Sequence, residues 1–197
     1  MAMEKGKAKI LDARESQSWK NGPSFSLGNR VQRALFIVVW AVAASWTPRQ
    51  LAPWRRLLLR AFGASMAAGS DVRGSAKVWY PPNLVMGERA IIGPRVNCYN
   101  MALITLEARA LVSQDAHLCG GTHNFDDAYF QLQAREIFIG ADAWVCAEAF
   151  VGPGARVAEG TVVGARCAVF GQLKPWTVYS GNPGRVIRER KRFTPLP

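Results

Sequence analysis

The blocks IGADAW (139–144), VCAEAF (145–150), VGPGAR (151–156), VAEGTV (157–162) and VGARCA (163–168) follow one another without a gap. Each opens with Ile or Val and carries a small residue in fifth place: Ala143, Ala149, Ala155, Thr161 and Cys167. The same rule fits 106–111, 112–117 and 118–123, with Ala110, Ala116 and Thr122 in fifth place, and upstream it fits 66–71, 72–77, 86–91 and 92–97. The register slips at about 84–86 and 98–106. A period of six matches neither the 3.6 of an α-helix nor the 2 of an alternating strand. It is the period of a β-solenoid, in which each hexad is one short side and three sides close a coil. The aliphatic residue then fills the interior and the small fifth residue fits a crowded corner. A Gly after the aliphatic residue is expected to relieve backbone strain there. Stacked coils bury a column that no single repeat could form alone.

The 197 residues, 49% hydrophobic and 20% charged, suffice for one medium domain with a real core. The net charge of +11 taken alone would suggest nucleic acid. Its distribution argues against that partner. Residues 1–63 carry +8 and residues 185–197 carry +4, while 64–184 carry −1. Cys98, Cys119, Cys146 and Cys167 form no C-x-x-C pair, so no zinc site is expected. With no secretory signal pattern, they read as reduced cytosolic thiols that mostly pack.

Five segments follow. Residues 1–24 are polar and basic and read as a flexible arm. Residues 25–63 read as N-terminal apolar and amphipathic helices, 64–184 as the solenoid with a projecting loop at 124–136, and 185–197 as a basic C-terminal helix or tail. Residues 34–48 (ALFIVVWAVAASWTP) lack charge, but as a helix they reach only roughly 22 Å, short of the ~30 Å hydrocarbon core. Trp54, Leu57, Leu58 and Ala61 then recur at helical spacing, with Arg56 and Arg60 on the opposite face. Two compatible readings result. The helices cap the core, or they lie in the plane of a membrane with Trp40, Trp46 and Trp54 at the interface and Arg49, Arg55, Arg56 and Arg60 on anionic headgroups.

The repeat stops at His123 and resumes at Ile139, across NFDDAYFQLQARE (124–136). An interruption sacrifices stacking contacts, which marks a functional loop. His123 stands beside Gly120–Gly121 at the root of that loop, where an imidazole suits a general base. His117, one hexad earlier, belongs to a different side of the coil. It reads as a packing residue, and the pair cannot share a metal.

LLLRAFGASM (57–66), YPPNLVMGE (80–88), ITLEARALVSQDAHLCGGTHNF (104–125), AWVCAEAFVGPGARV (143–157) and VYSGNPGRVIRER (178–190) resemble the left-handed β-helix acyltransferases with hexapeptide repeats. Within that family the chain is most similar to the branch that acetylates colanic acid and related exopolysaccharide intermediates. The resemblance spans about residues 56–190. It implies a mainly β fold, a left-handed parallel β-helix assembled as a homotrimer. It also implies O-acetyl transfer from acetyl-CoA to a sugar hydroxyl, with His123 as the base, no acyl-enzyme and no metal. Acetyl-CoA is implied at Trp144, Ala147, Ala165 and Arg185, where small residues admit the pantetheine chain and the arginine suits the nucleotide phosphates. Phe170-Gly171 stands where relatives often carry Thr-Lys, and Lys174 is a candidate replacement. Asn97 and Tyr99 are the candidate acceptor-binding residues. The enzyme is expected in the cytoplasm, peripheral on the inner face of the membrane.

Other readings of the same solenoid are a γ-class carbonic anhydrase, a serine acetyltransferase or another enzyme on a small soluble acceptor, and a non-catalytic scaffold. Two histidines do not supply the three ligands the anhydrase needs within one chain. The helical domain usual in serine acetyltransferases has no counterpart here.

Overall fold

The residues that open the hexads all turn into one column. The computed structural model describes residues 10–194 and winds the repeats into a left-handed parallel β-solenoid of about six turns. Three sheets form its faces. The first stacks Ser65–Met66, Leu84–Met86, Ile104–Leu106, Ile137–Ile139 and Arg156–Val157. The second stacks Asp71–Val72, Ile91–Ile92, Leu111–Val112, Trp144–Val145, Val162–Val163 and Thr177–Ser180. The third stacks Lys77–Val78, Asn97–Tyr99, His117–Cys119, Phe150–Val151 and Ala168–Val169. Hexad lies on hexad: Trp144 pairs with Leu111 and Val162, and Phe150 with His117 and Ala168. Val72, Ile92, Leu106, Val112, Leu118, Ile139 and Val145 are fully buried, each contributing roughly 1.5–3 kcal/mol of apolar transfer energy. Ala90, Ala110, Ala116, Ala143 and Ala149 fill the corners in fifth place.

The corner strain falls elsewhere than expected. It is the fourth residue of a hexad that turns left-handed, and the residue there is usually charged: Arg95, Arg109, Asp115, Asp142, Glu148 and Arg166 all have φ between 55 and 61°. Successive corners pair these charges, as in Arg95 with Asp115 and Arg109 with Asp142. The Gly in second place answers a different need, close approach of the next coil. A Cβ on Gly140 would come within 2.6 Å of the Glu159 backbone nitrogen, and one on Gly164 within 2.9 Å of the Tyr179 carbonyl oxygen.

Three helices precede the column: α1 (Ala13–Ser16), α2 (Leu27–Ala43) and α3 (Ala52–Ala61). Phe36, Trp40 and Ala44, with Leu59 of α3, extend the core over the open end of the first coil. Arg55 is buried beneath them. Its Nε donates to the Val72 carbonyl, Nη1 to Thr47 and the Pro48 carbonyl, and Nη2 to Asp71 at 2.8 Å. A guanidinium with five donors thus ties the α2–α3 connection to Val72 and Asp71 of the first coil.

Several expectations need correction here. Residues 10–24 of the expected flexible arm are folded: Ile10 bridges Phe25, and the Leu11 amide donates to the Ser24 carbonyl. The remainder of that arm, 1–9, lies outside the described residues. Trp40 is interior, its indole donating to the Gly74 carbonyl. Of the four arginines assigned to headgroups, Arg55 is buried, while Arg56 and Arg60 donate to the carbonyls of Ser70 and Met66. The face of α3 with Trp54, Leu57 and Ala61 turns outward, because Arg55 and Leu59 take the inward one. The block 118–123 does not close a coil, since the chain leaves the column at Gly120. Among the described residues the C-terminal segment forms a strand where a helix or tail was expected. Gly181–Gly184 reverses the chain, and Arg185–Glu189 pairs antiparallel with Thr177–Ser180, as β-branched Val186 and Ile187 favour. Residues 195–197 of that tail lie outside the described residues.

Candidate active site

Where the column breaks, Gly121–His123 and Leu132–Ala134 form an antiparallel hairpin, with His123 opposite Leu132. It leaves between the third face and the first. Gly121 sits close against Met101: a Cβ there would lie 2.3 Å from the Met101 sulfur, which would have to swing aside. At the hairpin's far end Asn124 and Asp127 cap their own turns, accepting from the amides of Asp126 and Tyr129. Phe130 follows in the left-handed region (φ 47°) and presents its carbonyl oxygen 2.6 Å from His123 Nδ1. A carbonyl can only accept, so Nδ1 carries the proton. The neutral ring therefore keeps its lone pair on Nε2.

His123 lines a cleft of about 410 Å³, within the size range of small-molecule sites. Its other walls are Tyr99 and Trp79 of the third face, Arg30 and Arg33 of α2, and residues 21–25. The arm is thus a wall of the site. It is fastened to the hairpin by the Ala13 amide, which donates to Gln131 Oε1 at 2.6 Å, and by Gln131 Nε2, which donates to the Leu11 carbonyl. Sequence reasoning missed this wall. Its signal was the pair of aromatics in a polar stretch, since Trp19 packs edge-on against Tyr129 and Phe25 against Trp79. Burial pushes the Tyr99 phenol up, with Arg33 acting against it, so the hydroxyl stays protonated.

Of the two acceptor candidates, the structure brings only Tyr99 to His123. Asn97 has its Nδ2 3.2 Å from His117 Nε2. His117 sits between the rings of Tyr99 and Phe150, and burial holds its pKa below the ordinary value. It is a half-buried packing residue. Among the described residues no group of three or more His, Cys, Asp or Glu side chains could hold a metal ion.

Ala147 and Ala165 occupy one corner on successive coils, between the second face and the third, where the Arg166 amide donates to the Ala147 carbonyl. The turn leading to Arg185 closes over the same corner, with the Ala168 amide bonded to the Gly181 carbonyl. Trp144 enters that corner from the second face; it is 41% exposed and donates to Ser113 Oγ. Small residues, an exposed indole and the exposed Arg185 leave room for an extended chain and a charge for its phosphates. Burial pushes the thiol of Cys146, between them, up, which disfavours its thiolate. Lys174 is elsewhere: its carbonyl accepts from Thr161 Oγ1, at the corner between the first face and the second. Phe170 packs on Phe150 and occupies the space a Cβ on Gly152 would need. Within one chain, the corner of Ala147 and the root of the His123 hairpin are different edges of the prism.

No protein-family model matches the chain. The WcaF protein of Escherichia coli K12, assigned as an acetyltransferase of colanic acid biosynthesis, is 40% identical over 166 residues, 84% of this chain and 91% of that protein. Among solved structures, a maltose O-acetyltransferase from Clostridium difficile 630 superposes with a TM-score of 0.72 at 18% identity, covering 94% of each chain. A hexapeptide-repeat acetyltransferase from Vibrio cholerae O1 biovar eltor, solved with acetyl-coenzyme A, gives 0.69 at 17% identity over 98% of this chain and all of that one. At such identities the structures speak for the fold alone, whereas WcaF is similar along nearly its whole length. The chain belongs to the hexapeptide-repeat acetyltransferases, in the group that includes the WcaF proteins of colanic acid biosynthesis.

Proposed function

We propose that this acetyltransferase moves an acetyl group from acetyl-CoA to a sugar hydroxyl of an exopolysaccharide or lipid-linked glycan precursor, with His123 as the general base. One observation carries the proposal: the Phe130 carbonyl fixes the His123 proton on Nδ1 and leaves Nε2 basic in a cleft of sugar size. Nε2 takes the hydroxyl proton as the oxygen attacks the thioester carbon. The C–S bond then breaks, and the proton passes to the leaving thiolate, giving an acetyl ester and free CoA. Trp144, Ala147, Ala165 and Arg185 hold the donor. Because that corner and the His123 hairpin lie on different edges, the reading includes a homotrimer in which a neighbour completes each site.

The same reading places the enzyme on the cytoplasmic face of the membrane, where a lipid-linked acceptor meets a cytosolic donor. Leu27, Val31, Leu35, Val38 and Val42 recur every three or four residues on α2 and are all more than half exposed. Trp46 and Trp54 extend this stripe. Their indole N–H groups already donate to the carbonyls of Val42 and Ala43, so both rings can enter an apolar layer without stranding a donor. Of the arginines in residues 25–63, Arg30 and Arg49 are exposed and make no side-chain bond among the described residues, which adds a smaller electrostatic attraction to an anionic lipid surface. No helix among the described residues is long and apolar enough to cross a membrane.

Thiol release from acetyl-CoA, measured with free glycosides, nucleotide sugars, serine and lipid-linked oligosaccharides in vesicles, tests the function. Release with the glycans, fastest on the lipid-linked form, is expected. Release with serine alone would overturn the acceptor class. Failure to bind acetyl-CoA in calorimetry would leave a scaffold.

A further inference from the structure

Arg33 is the one half-buried cation of the His123 cleft, and its surroundings lack an anion. Its guanidinium lies 4.2 Å from the centre of the Trp79 ring and 5.4 Å from that of Phe25, and Nε donates to Asn29 Oδ1 at 2.9 Å. Among the described residues no carboxylate pairs with it. By contrast Arg55 is matched by Asp71 and Arg109 by Asp142. Burial lowers the Arg33 pKa, and the only nearby groups acting against that are the phenols of Tyr99 and Tyr80. Asn29, which orients Arg33, is itself 94% buried (6% exposed), and its Nδ2 has no partner. Arg30 stands three residues before Arg33, on the same side of α2, and lines the same cleft. No Asp or Glu is among the lining residues.

Desolvating a guanidinium without a counter-charge is costly, and the like charge of the exposed Arg30 beside Arg33 adds to that cost. A neutral sugar would leave Arg33 uncompensated. Planar guanidinium forks match phosphate oxygens, and the Trp79 and Tyr99 rings line the cleft beside them. We propose that the acceptor carries a phosphate or diphosphate next to the sugar, and that Arg33 and Arg30 hold this group while a hydroxyl reaches His123. The proposal rests on the reading of His123 as the base and narrows its substrate class. A diphosphate could belong to a lipid carrier or to a nucleotide.

The probe is inorganic pyrophosphate, titrated calorimetrically into the full-length protein at fixed ionic strength, with Trp79 fluorescence as a second readout. Saturable binding is expected, weakened at least about tenfold in Arg33→Leu and several-fold in Arg30→Leu, as for loss of a charge-assisted bond. Arg33→Lys should recover part of it, which separates lost charge from lost packing. Arg185→Leu should leave it unchanged. No binding by the wild type, equal binding by Arg33→Leu, or loss confined to Arg185→Leu would overturn the proposal. So would tighter binding of glucuronate, which would make the anion a carboxylate. Farnesyl diphosphate binding more tightly than uridine diphosphate marks a lipid carrier, and the reverse order a nucleotide; either supports the shared chemistry. His123→Ala should still bind pyrophosphate, so an active His123→Ala enzyme would remove the general base and leave this site standing.

Discussion

His123 holds its Nδ1 proton on the Phe130 carbonyl and is exposed to the cleft, whereas His117 is half-buried against Asn97 and two aromatic rings. That difference has a consequence for stability. Burial depresses the folded-state pKa of His117 below its ordinary 6.5, so on acidification the unfolded chain takes up a proton before the folded one. The stability is full above about pH 6.5 and falls as the pH drops toward the folded-state pKa. The variant His117→Gln should therefore flatten the decline in Tm between pH 7 and 5. An unchanged decline would show that the proton uptake lies elsewhere. The same substitution should alter turnover far less than any change at His123.

At the scale of elements, α2 and α3 are joined to the first coil by one buried side chain. Arg55→Ala would leave the Val72 carbonyl and the Thr47 hydroxyl without their donor, and Asp71 with Arg73 as its remaining ion-pair partner. Breaking such a network costs about 3–5 kcal/mol, which for a chain of this length lowers Tm by roughly 6–20 °C. A drop of less than about 2 °C would mean the helices are held by Phe36, Trp40 and Leu59 alone. The hexad period made the column legible in the sequence, because an aliphatic residue every six positions has one geometric solution. His123 was legible because the period breaks beside it. The arm at 10–24 and the strand Arg185–Glu189 were not, since their order comes from contacts with Gln131 and with Thr177–Ser180, far away in sequence or across a reversal. The apolar face of α3 misled for the same reason: Asp71, sixteen residues on, draws Arg55 inward and turns Trp54 and Leu57 out.

For the whole molecule, light scattering should give three times the chain mass. A stable, active monomer would overturn the proposed trimer and the groove it would form between the Ala147 corner of one chain and the hairpin of its neighbour. Liposome sedimentation reads the outer face of α2. With Arg55, Arg56 and Arg60 engaged by the protein, Arg49 alone of those four makes no side-chain bond among the described residues, so apolar insertion should dominate. Binding to anionic vesicles should then survive added salt in good part and fall sharply in Val38→Asp. Sedimentation unaffected by that change would show that lipid does not cover this stripe, and a Val38→Asp trimer that dissociates would assign the stripe to a second copy of the chain.

The most direct test of the chemistry is His123→Ala, assayed for acetyl transfer with acetyl-CoA affinity measured in parallel. Loss of a general base lowers the rate by ~10²–10⁴-fold. The expected result is a fall of that size in kcat with acetyl-CoA affinity nearly intact, since Trp144, Ala147, Ala165 and Arg185, proposed to hold the donor, lie on another edge of the prism. A variant that keeps most of its kcat would contradict the assignment of His123 as the base.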